Sequence, residues 1–145
     1  MSTKILVAII LTGVLVACSK NVYNTKPTIK ITYVNTNVVP NNGILVFKLK
    51  VTDKEGDVTD SLFVRKVRLN HRITPTIRDS FAFRLPDAPN SSDGEVEVDL
   101  SYQNYLISAK NPIENDTLLF KFALKDKAKN ISDTVTSEPI VILRQ

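Results

Sequence analysis

From position 27 onward, apolar and polar residues alternate along most of the chain. A period of two marks strands with one buried face. Glu95–Leu100 is the cleanest run: Val96, Val98 and Leu100 fall inward, and Glu95, Glu97 and Asp99 outward. Thr117–Lys125 matches it, with Leu118, Phe120, Phe122 and Leu124 inward and Lys121 and Lys125 outward. Ile44–Thr52 places Leu45, Phe47, Leu49 and Val51 on one face, and Val46, Lys48 and Lys50 on the other. Thr28–Val34 is β-branched and opens the series. Ser61–Leu69 predicts Phe63, Val67 and Leu69 inward, with Arg65 interrupting the pattern. Ser80–Leu85 groups Phe81, Phe83 and Leu85. Asp133–Leu143 contains Pro139. Proline cannot donate to a ladder, so this last strand is expected at an edge.

Turn-forming residues separate the runs: Pro40-Asn41-Asn42-Gly43, Asp53–Asp57, Pro86–Gly94 and Asp126–Asn130. Tyr102–Ala109 reads as a short helix or a loop. Half-buried strands at this spacing predict an all-β fold, an antiparallel sandwich of about seven strands, with a barrel as the alternative.

The first 26 residues differ. Lys4 supplies one charge, and Ile5 to Ala17 is a mostly apolar run of thirteen residues. A bilayer span takes about 20, so the run is too short to anchor the chain and reads as an export signal. Leu15-Val16-Ala17-Cys18 resembles the lipobox of bacterial lipoproteins. That resemblance implies diacylglycerol on the Cys18 thiol, removal of residues 1–17, and a lipidated tether over residues 18–26. Two or more acyl chains give durable anchoring where one does not. Cys18 is the only cysteine. The domain over residues 27–145 must therefore be held by its core, without a disulfide.

Composition narrows the function classes. Apolar residues make up 43%, enough for a real core. The formal charge is +4, falling to +3 once Lys4 is removed. The cations are scattered among strand positions, as in Phe47-Lys48-Leu49-Lys50-Val51, so no nucleic-acid footprint is expected. There is no Gly-rich phosphate loop. A lone His71 and serines without a nucleophile-elbow context give no catalytic set, and zinc lacks ligands. The chain is expected not to be an enzyme.

Two turns carry a resemblance. Leu124-Lys125-Asp126-Lys127-Ala128-Lys129-Asn130-Ile131-Ser132 resembles the strand-and-turn of many bacterial immunoglobulin-like modules. Val51-Thr52-Asp53-Lys54-Glu55-Gly56-Asp57 resembles the Asp-x-x-Gly-Asp turn of small lipoproteins of Bacteroidota. Leu85-Pro86-Asp87, Gly94-Glu95-Val96-Glu97-Val98 and Thr136-Ser137-Glu138-Pro139-Ile140-Val141-Ile142 are similar to the same group. The resemblance implies an immunoglobulin-like sandwich in the cell envelope and assigns no activity. Lys129 stands where such turns carry glycine, so that turn must form without a ready positive-φ residue unless Asn130 takes the role.

In such a sandwich, the loops after the second and sixth strands share one end. That would gather Asp53, Glu55, Asp57 and Asp60 with Asp126, Asn130 and Asp133 as a candidate weak calcium site. The competing expectation is plain turn chemistry, since Asp and Asn bond their own backbone. Lys54, Lys127 and Lys129 also sit among the acids. Tyr33, Tyr102 and Tyr105 form a second candidate, a sugar-stacking platform. No cofactor other than calcium is expected.

These readings converge on a membrane-anchored envelope lipoprotein, a non-catalytic binding or structural module. A glycan-binding accessory lipoprotein of a polysaccharide-uptake system is the first alternative, and a small hydrolase the second. Partners are the membrane, through lipid, and an envelope protein or glycan. No acidic run follows Cys18, which favours the outer membrane, facing the periplasm.

Overall fold

A computed structural model describes residues 26–56, 58, 60–71, 78–87, 92–107 and 114–144. The leader, Cys18 and Asp57 lie outside the described residues.

The alternating runs become strands almost where the pattern puts them. They are β1 (Thr28–Val34), β3 (Ile44–Thr52), β4 (Ser61–Arg68), β5 (Ser80–Arg84), β6 (Asp93–Ser101) and β7 (Asp116–Lys125). Three short strands complete the set: β2 (Val38–Val39), β8 (Val135–Thr136) and β9 (Ile140–Ile142). One sheet has the order β1-β3-β6, and the other β2-β9-β7-β4-β5, with β8 also on β7. Tyr102–Leu106 forms a single π-type turn closed by Ile107 N–H donating to the Tyr102 carbonyl at 2.8 Å.

The core forms where β3 faces β7 across the sheets. Leu45, Phe47 and Leu49 are fully buried, as are Leu118, Phe120, Phe122 and Leu124. The Phe47 ring lies 5.3 Å from Phe120 and 4.9 Å from Phe122, within the range of favourable tilted aromatic contacts. Val98 and Leu100 extend this core from β6.

Three expectations need correction. The Pro139 strand is not an edge: Pro139 falls between β8 and β9, and β9 is flanked by β7 and β2. The β2–β9 pair is parallel, an exception in an otherwise antiparallel fold. Two serines carry the irregular ladder around β8. Ser132 N–H donates to the Leu124 carbonyl at 2.8 Å, and its Oγ accepts from Leu124 N–H at 2.9 Å. Ser137 does the same for Phe120.

The third correction concerns β4. Leu62, Val64 and Lys66 point inward, whereas Phe63 is 40% and Leu69 49% exposed. Two cations, Lys66 and Arg68, thus occupy the inner side near the strand's end. Distant groups make this tolerable. Lys66 Nζ donates to the Tyr105 carbonyl at 2.5 Å. Arg68 bonds the buried Asp116 carboxylate at 2.8 Å, and Arg144 pairs with the same carboxylate. Burial pushes the Lys66 amine down to about 8, reinforced by Arg68 and Arg144 and opposed by Asp79.

Candidate functional site

The loop after β3 and the loop after β7 do lie at one end, because Ser61 at the start of β4 pairs with Lys125 at the end of β7. Four of their acids already have partners within the chain. Asp53 Oδ1 accepts from Glu55 N–H at 3.2 Å, and its carbonyl accepts from Gly56 N–H at 3.3 Å. Asp126 accepts from the Asn130 backbone at 2.7 Å and side-chain amide at 2.9 Å. Asp60 pairs with Lys125 at 3.6 Å, and Asp133 with Lys26 at 2.5 Å. Glu55 is exposed. The bonds of Asp53 and Asp126 close their own turns, whereas Asp60 and Asp133 are held by cations from distant parts of the chain. Among the described residues, no group of three or more His, Cys, Asp or Glu side chains is placed to hold a metal ion. Lys129 itself, not Asn130, takes the glycine-like conformation, with φ 73°.

The tyrosines do not form a shared platform. Tyr102 is buried at 4% exposure, and Tyr105 packs on Phe81 and Phe83 at ring distances of 4.9 and 5.8 Å. Tyr33 stands exposed on β1. His71 is exposed just beyond β4.

Strands β5 and β6, each last in its sheet among the described residues, flank a cleft of about 350 Å³. Leu62, Phe83 and Leu85 line one side, and Val96 and Val98 the other. Glu95, Glu97 and Asp99 also border it. Glu95 and Glu97 both reach Lys48 at 3.5 Å. The two carboxylates, Glu95 foremost, hold the Lys48 amine above its ordinary value. An acid pair sharing one lysine on an open face is solvated charge matching, which is what period-two carboxylates usually do.

The outer face of β5, β4 and β7 is different. Cross-strand register sets it out in rows. Phe63 stands between Ala82 and Ala123. Arg65 stands between Ser80 and Lys121, and Ser61 between Arg84 and Lys125. Arg65 and Lys121 are therefore directly opposed cations, an arrangement that destabilises a ladder on its own. Among the described residues neither makes an ion pair. A groove of about 580 Å³ runs over this face, past Phe63, Arg65, Lys121 and Thr134. Sequence reading missed it because the inner and outer sides of β4 were exchanged. The signal was available in the alanines opposite Phe63, once the register is known.

Fold and face together define the class: an all-β, immunoglobulin-like sandwich with one outer face of mixed charge and one cationic outer face. No family model matches the chain, and no curated protein matches it. Solved structures give distant likenesses. A β-glucosidase from Kluyveromyces marxianus is 12% identical, with a TM-score of 0.44 over 83% of this chain and 15% of that one. Its complex with glucose is 13% identical, with a TM-score of 0.42 over 82% of this chain and 15% of the other. A Niemann-Pick type C2 protein from the Japanese carpenter ant is 11% identical, with a TM-score of 0.40 over 81% of this chain and 89% of that one. The chain thus spans only a small part of the glucosidase. The fold assignment stands on the strand pairing itself. Among the described residues, no helix is long and apolar enough to cross a membrane.

Proposed function

We propose that this chain is an envelope lipoprotein, anchored through acyl chains on Cys18, whose sandwich serves as a non-catalytic binding module. The proposed location is the outer membrane, facing the periplasm. One observation carries the binding role: the outer face of β5, β4 and β7 leaves Phe63 and directly opposed cations toward solvent. Two features support the anchor. Leu15-Val16-Ala17-Cys18 closes an apolar run, and the polar segment to Lys26 gives the domain reach from a surface.

Intact-protein mass spectrometry of the native product tests the anchor. The expected result is loss of residues 1–17 and a diacylglyceryl adduct on Cys18, with Cys18→Ala unprocessed and released from membranes. A product with an intact Met1, or with a bare Cys18 thiol, rejects it. Crosslinking on intact cells tests the binding role. It is expected to capture envelope material through a photoreactive group placed at Ala123, and not through one placed at Lys30 on the other sheet.

A further inference from the structure

We infer that the outer face of β5, β4 and β7 binds an acidic polysaccharide, with a sugar ring stacked on Phe63 and its carboxylates received by Arg65, Lys121 and Arg84. This rests on the binding-module reading and adds the chemical class of the ligand. A single exposed phenylalanine needs no explanation by itself. Its surroundings set this one apart. The cross-strand neighbours of Phe63 on both sides are alanines. Longer neighbours would lay their stems over the ring; methyl groups leave it open. The electron-rich face of an aromatic ring attracts polarised C–H groups, such as those on the apolar side of a pyranose.

Charge selects among ligands. The row of Arg84 and Lys125 lies on one side of Phe63, and the row of Arg65 and Lys121 on the other. The two rows are about 13 Å apart along the strands, so the face suits a chain with repeated negative charge. Lys125 is already engaged by Asp60. Arg84 acts weakly on the Asp87 carboxylate, whose main partner is Lys127. Arg65 and Lys121 face one another with no acid paired to them among the described residues. Guanidinium forks match carboxylates in geometry as well as charge. The shallow groove runs past Phe63, Arg65 and Lys121, a row of contacts that fits a chain segment. Single-stranded nucleic acid is bound by stacking successive bases on several aromatic rings, and this face offers one.

The test uses the full chain purified in detergent from membranes, with its N-terminal mass read in the same preparation. Calorimetric titration with polygalacturonate oligomers is expected to show saturable binding, and neutral dextran none. Phe63→Ala and Phe63→Leu are each expected to weaken it roughly tenfold, the equivalent of one lost stacking contact. Phe63→Tyr keeps the ring and is expected to bind like the parent. Arg65→Gln with Lys121→Gln is expected to abolish measurable binding with no fall in the thermal midpoint, since it removes two opposed charges. Absence of uronate binding overturns the proposal. So does equal binding of dextran sulfate or single-stranded DNA that Phe63→Ala leaves unchanged, which would mean charge alone. Binding to anionic vesicles but not to oligomers also overturns it, in favour of a membrane surface. An unlipidated Cys18 with uronate binding intact would overturn the anchor and leave the ligand class standing.

Discussion

The two outer faces of the sandwich treat charge in opposite ways. On the β1-β3-β6 sheet, Lys48 lies opposite Glu97 and Lys50 opposite Glu95, although Lys50 also has Lys30 on its other side. On the β5-β4-β7 face, Arg65 lies opposite Lys121. One surface carries acids in register with lysines, and the other has none in its cross-strand rows, where only Lys125 finds an acid, Asp60, beyond the strands. Strand β4 repeats the contrast across its own thickness. Its outward Arg65 has no acid paired to it among the described residues, whereas its inward Arg68 is tied to a buried carboxylate. Cations are tolerated inside only when paid for by precise partners, and outside they can stand open because water screens them.

Substitutions can break or sharpen this comparison. The largest effect is expected at the inner cluster. Asp116→Asn leaves Arg68 and Arg144 buried with their shared charge gone, at a cost of about 3–5 kcal/mol in urea unfolding. A loss as small as that of an exposed pair would end the distinction between inner and outer cations. Next comes Lys66. Its folded value of about 8 lies below its ordinary 10.5. Between those limits the unfolded chain holds more protons, so stability should rise with pH, by up to about 1.4 kcal/mol per pH unit. Below the lower limit both states are protonated, and the burial penalty is felt in full. Lys66→Met should flatten the rise, and denaturation at a series of alkaline pH values checks it against the parent. A parent with no such rise would show that the amine stays hydrated.

Smaller effects belong to the outer faces. Lys121→Glu would set an acid opposite Arg65 and make the bare face resemble the matched one. It should stabilise the domain by about 0.2–1 kcal/mol, read as a higher thermal midpoint, while abolishing uronate binding. A lower midpoint would mean that Arg65 is already compensated. The least change is expected from Glu97→Gln: Lys48 keeps Glu95, and added salt should erase any difference in midpoint from the parent.

Much of this fold could be read from alternation alone. The inward sets of β3, β6 and β7 were legible because each run is apolar throughout one parity, while the other parity carries the charges. β4 defeated the same logic. Both parities hold large apolar side chains, and the truly inward one also carries Lys66 and Arg68. Their partners, Asp116 and the Tyr105 carbonyl, are far away in sequence, so no local pattern could reveal them. β2 is two residues long, too short for any period to show. Loop proximity was predicted correctly for the acidic turns after β3 and β7, but proximity of backbones says little about where carboxylates point. Asp53 and Asp126 turn back on their own loops. The candidate face stayed hidden for the reason that β4 was misread, since an inward Phe63 can present nothing to a ligand.

The switch of the chain between sheets has a mechanical corollary. β1 lies against β3, and a few residues later β2 joins β9 in the opposite sheet. A tug on the segment before Thr28 therefore loads the β1 ladder first. Peeling that strand away still leaves Val38 and Val39 clasped to Val141 and Ile142, near the far end of the polypeptide. Were the proposed anchor and ligand to hold the domain at its front and flank, this second latch would let it yield one strand without coming apart.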